Sequence, residues 1–328
     1  MAVIIFLSYI RGMDQTMHIN DYLGKEEIRR FSARSDLAGA WMLLANWALI
    51  AAIFAGVALW TNPLSILIGV LLLGGRQLGL SVLMHEAGHN TLFRTPWMNR
   101  VLGQWLAAYP VLGDCVAYGA SHRIHHQRAG TCDDPDLPNY RNYPVSAQSF
   151  RRKLWRDITA QTGARLIAAL FSGAGNRIMM REGEGGGALL QGLLANLALL
   201  GVLAAFGIAE LYLMWVAAYL TSYMLVARIR QVAEHGAVKG LYDPDPRLNT
   251  RTTLARWYER LVLCPNYVNF HLEHHLLASV PAFRLPALHK LLCERGFFDD
   301  YPDAVVSGYR EVIRRAVPEL GGALPASG

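Results

Sequence analysis

Four stretches of this chain, residues 37–60, 63–84, 187–206 and 211–227, are almost continuously apolar. An α-helix rises 1.5 Å per residue, so about 20 apolar residues cross the ~30 Å hydrocarbon layer of a bilayer. Each stretch is close to that length, and the pattern predicts an all-α integral membrane protein with four transmembrane helices. Only Thr61 and Asn62 separate the first two stretches, and residues 207–210 separate the last two. Links this short predict two antiparallel helical hairpins. The segment between the hairpins, residues 87–186, is too long for a structureless loop. Its semi-apolar pieces at 101–112 and 164–171 read as short interfacial helices. A glycine tract at 183–187 reads as a flexible joint. Beyond residue 243, amphipathic pieces near 254–263 and 285–293 complete a helical cap. The expected organisation is an N-terminal cytosolic segment (1–36), a membrane domain with its cap (37–292) and a C-terminal cytosolic tail (293–328).

Composition agrees with this layout. Of 328 residues, 53% are hydrophobic and only 17% charged, against about 25% charged in an average soluble domain. The net charge is +6. Its positive residues flank the apolar stretches: Lys25, Arg29, Arg30 and Arg34 precede the first, Arg151, Arg152, Lys153 and Arg156 lie in the middle segment, and Arg228 and Arg230 follow the fourth. Neither short link carries Lys or Arg, so the positive-inside bias places both hairpin tips outside and everything else in the cytoplasm. No basic run interleaved with aromatics points to nucleic acid. The four cysteines are scattered, form no CxxC pair and imply no disulfide framework; Cys132, six residues after a histidine, reads as non-ligating. The apolar residues 1–10 are too short to span and lack the basic start and cleavage site of a signal peptide. Arg76 and Gln77 interrupt the second stretch; a charge at that depth faces either a packed polar partner or a substrate cavity.

Nine of the eleven histidines fall into four groups. His85 and His89 occur in HEAGH, His122, His125 and His126 in HRIHH, and His271, His274 and His275 in HLEHH, while His235 stands alone in AEHG. Residues three or four apart share a helix face. His85 and His89 therefore aim the same way, and in each HxxHH string the first and second histidines share a face with the third as neighbour. Neutral imidazole suits iron, zinc, copper and nickel. Nine histidines exceed what one ion needs, so two metals sharing the set is the simplest reading. All four groups also map to the same predicted side of the membrane. His18 and His289 lie outside the pattern and read as structural.

These strings resemble the histidine boxes of the membrane fatty acid desaturase family, as do GTCDDPDLP after the second box, RIRQVAEHG before the third and NFHLEHHLLASVP around it. The resemblance covers about residues 37–292. It implies two non-haem irons held by His85, His89, His122, His125, His126, His235, His271, His274 and His275, at the junction of four membrane helices and a cytosolic cap. It also implies O2 as co-substrate, a fatty acyl or lipid substrate, and desaturation as the reaction. No HPGG string occurs, so electrons would come from a separate ferredoxin- or cytochrome b5-like protein with its reductase. Glu86, Glu234, Glu273, Asp133, Asp134 and Asp136 are candidates to orient the ligands. The first box is HxxxH, a spacing also found in hydroxylases and ketolases of the family, which keeps those reactions as the alternative. Gln231 stands where some members have a water-mediated asparagine ligand.

Two rivals come from other classes. HEAGH also satisfies HExxH, the signature of a zinc metalloprotease with Glu86 as base, but that reading leaves both HxxHH strings unexplained. A metal transporter would place its ligands within the spans, whereas these sit at their cytoplasmic ends.

Overall fold

The computed structural model describes residues 19–172 and 185–321; residues 1–10, His18 and the start of the glycine tract lie outside them. The chain is mostly helical. Among the described residues four helical stretches are long and apolar enough to cross a membrane: Asp36–Leu59, Pro63–Gly88, Ala188–Ala205 and Ala209–His235.

A short helix α1 (Lys25–Phe31) leads to the first of these, α2 (Asp36–Leu59). Ser35 caps α2 by accepting from the Ala38 N–H at 3.2 Å, which satisfies one of the free donors of the first turn. After three residues α3 (Pro63–Gly88) begins with proline at its first position, where the missing N–H costs nothing. Asn62 Oδ1 accepts from the N–H groups of Leu64 and Ser65, both at 3.0 Å. Asp36, at the start of α2, accepts two hydrogen bonds from Thr95, beyond the end of α3, and Asn46 donates to the Arg76 carbonyl midway along. The two helices therefore lie side by side in opposite directions. Their outer faces expose Leu37, Trp41, Leu59, Leu64 and Leu67; so much exposed apolar surface is unusual on a water-soluble chain.

Helix α3 is the hub. Its second half, from Leu73 to Gly88, is wholly buried. Around it pack α4 (Pro96–Gly103), which runs on through a π-turn at Gln104–Ala108 and a 3-10 turn at Tyr109–Val111, and α5 (Cys115–Arg128). Gln104 fixes the start of α5 by donating to Asp114 and accepting from the Cys115 N–H, both at 2.8 Å. There follow α6 (Leu137–Tyr140), α7 (Ala147–Ile158), α8 (Gln161–Phe171) and the third apolar helix, α9 (Gly185–Ala205). The semi-apolar pieces of the middle segment are thus helical.

The fourth apolar stretch differs from its sequence-based bounds. It is two helices, α10 (Tyr212–Leu220) and α11 (Ser222–His235), broken at Thr221 (φ −123°, ψ −83°). The Thr221 hydroxyl bonds back to the Ala217 carbonyl at 2.6 Å, a contact that bends helices. Helix α11 continues past Ala227, so Arg228 and Arg230 are helical residues engaged in ion pairs with Asp157 and Glu234.

The chain continues with α12 (Pro246–Asn249), α13 (Trp257–Val262), α14 (His271–Leu276), α15 (Leu285–Glu294) and α16 (Tyr309–Ala316). Two-residue strands β1 (Thr252–Thr253) and β2 (Val305–Val306) pair in parallel. Several described residues after 292 belong to the buried clusters: Phe297 lies in one with Leu83, Phe270 and Leu292, and Val306, Tyr309 and Val312 lie in one with Val82 and Val232. Arg76 is buried and donates to the Leu261 carbonyl and to Asn46, so its partners are polar groups of the protein. It also borders an apolar groove of about 380 Å³ between α2 and α3.

Candidate metal centre

Four helices deliver the nine histidines. His85 and His89 stand one turn apart at the end of α3, which closes on α5 through a glycine contact. A Cβ at Gly119 would lie 2.7 Å from the Gly88 carbonyl oxygen, and one at Gly88 would lie 3.0 Å from that of Cys115. Only bare backbones pass so closely, and this brings the first box against His122 and His126 on α5. His235 ends α11, and α14 carries the third box.

All nine gather into two groups. His85, His89, His122, His126 and His274 form one; His125, His235, His271 and His275 form the other; within each, one ring nitrogen per residue lies within 4.8 Å of the rest. The grouping corrects the face assignment read from the sequence. In each HxxHH string the first and third histidines, four apart, share a group, while the middle one turns to the other group. One helical turn is 3.6 residues, so i and i+4 superpose closely and i+3 is swung to the side.

The ring tautomers show what the clusters need. His235 Nδ1 lies 3.0 Å from the Asn249 carbonyl and His125 Nδ1 lies 2.8 Å from Asp134 Oδ1. His85 Nδ1 lies 3.1 Å from Glu86 Oε1, and Glu234 Oε1 lies 3.5 Å from His271 Nδ1. The Asn249 carbonyl and the ionised Asp134 and Glu86 accept, so the Nδ1 atoms of His235, His125 and His85 carry the proton and the Nε2 of each of these neutral rings presents a lone pair. Yet these Nε2 atoms face other Nε2 atoms: His235 to His271 at 2.9 Å, His125 to His275 at 3.2 Å and His85 to His122 at 2.9 Å. His235, His125 and His85 thus turn Nε2 lone pairs toward ring nitrogens of their own group, the arrangement of ligand atoms around a cation. Imidazole nitrogens at right angles on a metal, each about 2.1 Å from it, would be about 3 Å apart. The donor set fits a bound metal in both groups. His89 Nε2 is buried without a partner among the described residues, as a ligand atom turned toward an ion would be.

Electrostatics favours the ligand form. Burial, reinforced by neighbouring imidazoles, holds His122, His271, His274 and His275 well below the usual histidine range. Burial with the neighbouring His89 and His85 lowers His126 to about 2, and burial with His85 lowers His89 to about 3. These rings stay neutral at physiological pH.

The carboxylates divide into two sets. Burial opposes ionisation of Asp134, but hydrogen bonds from His125 and Tyr140 outweigh it and hold its carboxyl below the ordinary range. Asp136 is 3.8 Å from His125 Nδ1. Glu86 takes His85, the Thr91 hydroxyl and the Ala282 N–H; with its oxygens so engaged it is not free to act as a protease base. Glu273, expected near the ligands, turns instead to Thr252 and to His289 at 2.5 Å. This gives His289 its structural role. Asp133 and Cys132 are exposed, as is Gln231.

Sequence reasoning missed three contributors. The Asn249 carbonyl orients His235 from a backbone atom, which no side-chain motif can signal. Tyr140 stacks on His235 (centroids 4.8 Å, 22°) and Tyr118 on His122 (5.1 Å, 20°); Tyr140 has no regular spacing to His235, whereas Tyr118 stands four residues before His122 on α5, a same-face spacing that could have signalled it.

Comparison with known proteins agrees with the geometry. The sequence model of the fatty acid desaturase family matches residues 61–307. The chain is 29% identical to dihydrorhizobitoxine desaturase of Bradyrhizobium elkanii, over 78% of this chain and 75% of that protein. It is 23% identical to the sn-1 oleoyl-lipid 12-desaturase of Picosynechococcus sp., over 75% of this chain and 74% of that one. The match spans well over half of the sequence and contains all nine histidines, so the chain belongs to the fatty acid desaturase family and is an enzyme of the desaturase-type oxidoreductases.

Proposed function

We propose that this protein is a multi-pass membrane desaturase that introduces a double bond into the acyl chain of a fatty acid or lipid, using O2 and two irons held by the nine histidines. The observation that carries the reading is the division of those histidines into a group of five and a group of four. In balance, one O2, two electrons and two protons take two hydrogens from adjacent carbons, giving an alkene and two waters. Two bound irons would supply the oxidising power for that step. The electrons would come from a separate ferredoxin- or cytochrome b5-like donor with its reductase.

The chain's own residues have distinct tasks. Asp134, Glu86 and the Asn249 carbonyl hold Nδ1 protons and so aim the Nε2 lone pairs inward. Tyr118 and Tyr140 cover two of the rings and keep water away. The apolar helices form two membrane hairpins with a cytosolic cap, the arrangement favoured by the basic residues before α2 and by the short links. Both relatives are named for desaturation, one of them of an oleoyl lipid, which supports an acyl substrate here.

The test is metal analysis of the purified protein together with lipid profiling of an expressing host. About two irons per chain and a new, O2-dependent double bond are expected. A single zinc per chain would overturn the proposal, and a hydroxylated product would move it to the hydroxylases of the same family.

A further inference from the structure

Helix α13 packs against α3 at a depth that its sequence does not announce. A Cβ at Gly75 of α3 would lie 2.8 Å from Val262 Cα, and Arg76 donates to the Leu261 carbonyl. Asn266 donates to the Gly79 carbonyl at 2.9 Å. The chain thus meets α3 near Gly75, runs back along it to Gly79, and reaches the level of the metal groups at His271.

The membrane reading given above fixes where that is. Crossing ~30 Å of hydrocarbon takes about 20 residues, and α3 has 26, residues 63–88. Every 20-residue window in that range contains residues 69–82. Gly75 and Arg76 are therefore within the hydrocarbon wherever the helix is set. At least residues 76–82, about 10 Å at 1.5 Å per residue, separate Arg76 from the cap-side boundary. Trp257 starts α13 five residues before Val262, or about 7.5 Å away, so it too lies inside the boundary. Its surface fits: Leu254, Trp257, Tyr258 and Tyr267 are exposed, Trp257 by 78%.

We propose that residues 254–267 form a re-entrant segment that dips into the cap-side leaflet and returns to present the third histidine box, with Arg76 as its anchor. Its partner is the lipid itself. Arg76 supplies donors to a carbonyl in the last turn of α13, where the helix dipole is negative and backbone acceptors lack partners. Irregular backbone at membrane depth persists only where protein covers it; here α3 does so. The exposed Arg256 and Arg260 carry long stems that reach back to lipid phosphates. The oddity of a charge within the second apolar stretch is thereby explained.

The proposal rests on the membrane assignment, and the experiment separates the two. Full-length protein in vesicles, with the exposed Cys132 and Cys293 replaced by serine, receives a bimane label at Trp257→Cys or, as control, at the exposed Arg310→Cys. Quenching by lipids brominated along the acyl chain should be strong at 257 and weak at 310. Aqueous iodide should quench 257 several-fold less than 310. Equal iodide quenching at both sites, in protein that resists carbonate extraction, overturns the re-entrant segment while leaving the membrane assignment intact; extraction by carbonate overturns both. Arg76→Met should open the 257 label to iodide without releasing the protein from the vesicle, and an unchanged pattern removes Arg76 as the anchor.

Discussion

His125 and Asp134 are joined at 2.8 Å in a buried contact, and the same carboxylate receives the Tyr140 hydroxyl. Asp134 therefore sets the tautomer of one ring and, through Tyr140, the stacking surface of His235. Replacing a carboxylate that orients a metal-bound histidine typically costs 10–100-fold in metal affinity. Asp134→Ala should lose metal from the four-histidine group first. Stepwise chelator titration of the purified protein would show one metal leaving 10–100-fold more easily, and a wild-type profile would remove Asp134 from the site.

The two groups differ in redundancy. Removing one histidine from the group of five leaves four ligands, whereas removing one from the group of four leaves three. His275→Ala should bring the metal content close to one per chain. His89→Ala should retain more metal, near two per chain after loading. Equal losses in the two variants would mean that ligand number does not decide which group keeps its metal.

Gly119 is where two boxes are pressed together. A methyl group there must displace the Gly88 backbone, and overpacking of this kind costs about 1–3 kcal/mol. Gly119→Ala should lower the unfolding temperature and weaken metal binding in the five-histidine group, read as reduced metal content after dialysis. Wild-type values of both would contradict the close approach of α3 and α5.

Acid should destabilise the metal-free fold. His89 and His126 have folded pKa values of about 3 and about 2, lowered from 6.5. Below pH 6.5 the unfolded chain takes up protons that the folded chain refuses, so stability falls as pH drops from 6.5 toward those values. Each such histidine contributes about 1.4 kcal/mol per pH unit within that window. Above 6.5 the contribution is constant. Unfolding temperatures of metal-stripped protein in detergent, measured from pH 5 to 8, should decline below 6.5; a higher value at pH 5 than at pH 7 would falsify the sign.

Much of this was legible in the sequence, for identifiable reasons. The four apolar helices follow from run length, and eight of the nine histidines follow from their strings, because ligand spacing and helix periodicity are local properties; His235 has no such spacing and is identified through the other clusters and the family resemblance. The division of each HxxHH string between two groups was not legible. It depends on how α5 and α14 are rotated against α3 and α11, which bare glycine contacts and buried apolar residues decide at long range. The extension of the fourth helix to His235 was hidden because Arg228 and Arg230 look like solvated charges until Asp157 and Glu234 appear beside them. The dip of α13 was hidden as well: its amphipathic spacing is that of any surface helix, and only contact with Gly75 gives its depth.

The splitting of the HxxHH strings has a thermodynamic consequence. Helices α5 and α14 each place ligands in both groups, so an ion that fixes the rotation of either helix for one group has already ordered it for the other. The ordering entropy is met mostly by the first ion, and the second should bind more tightly for that reason alone. Reconstitution would then populate empty and doubly loaded chains at the expense of singly loaded ones. A cell short of metal would then hold a mixture of fully loaded and metal-free molecules rather than a pool of singly loaded ones.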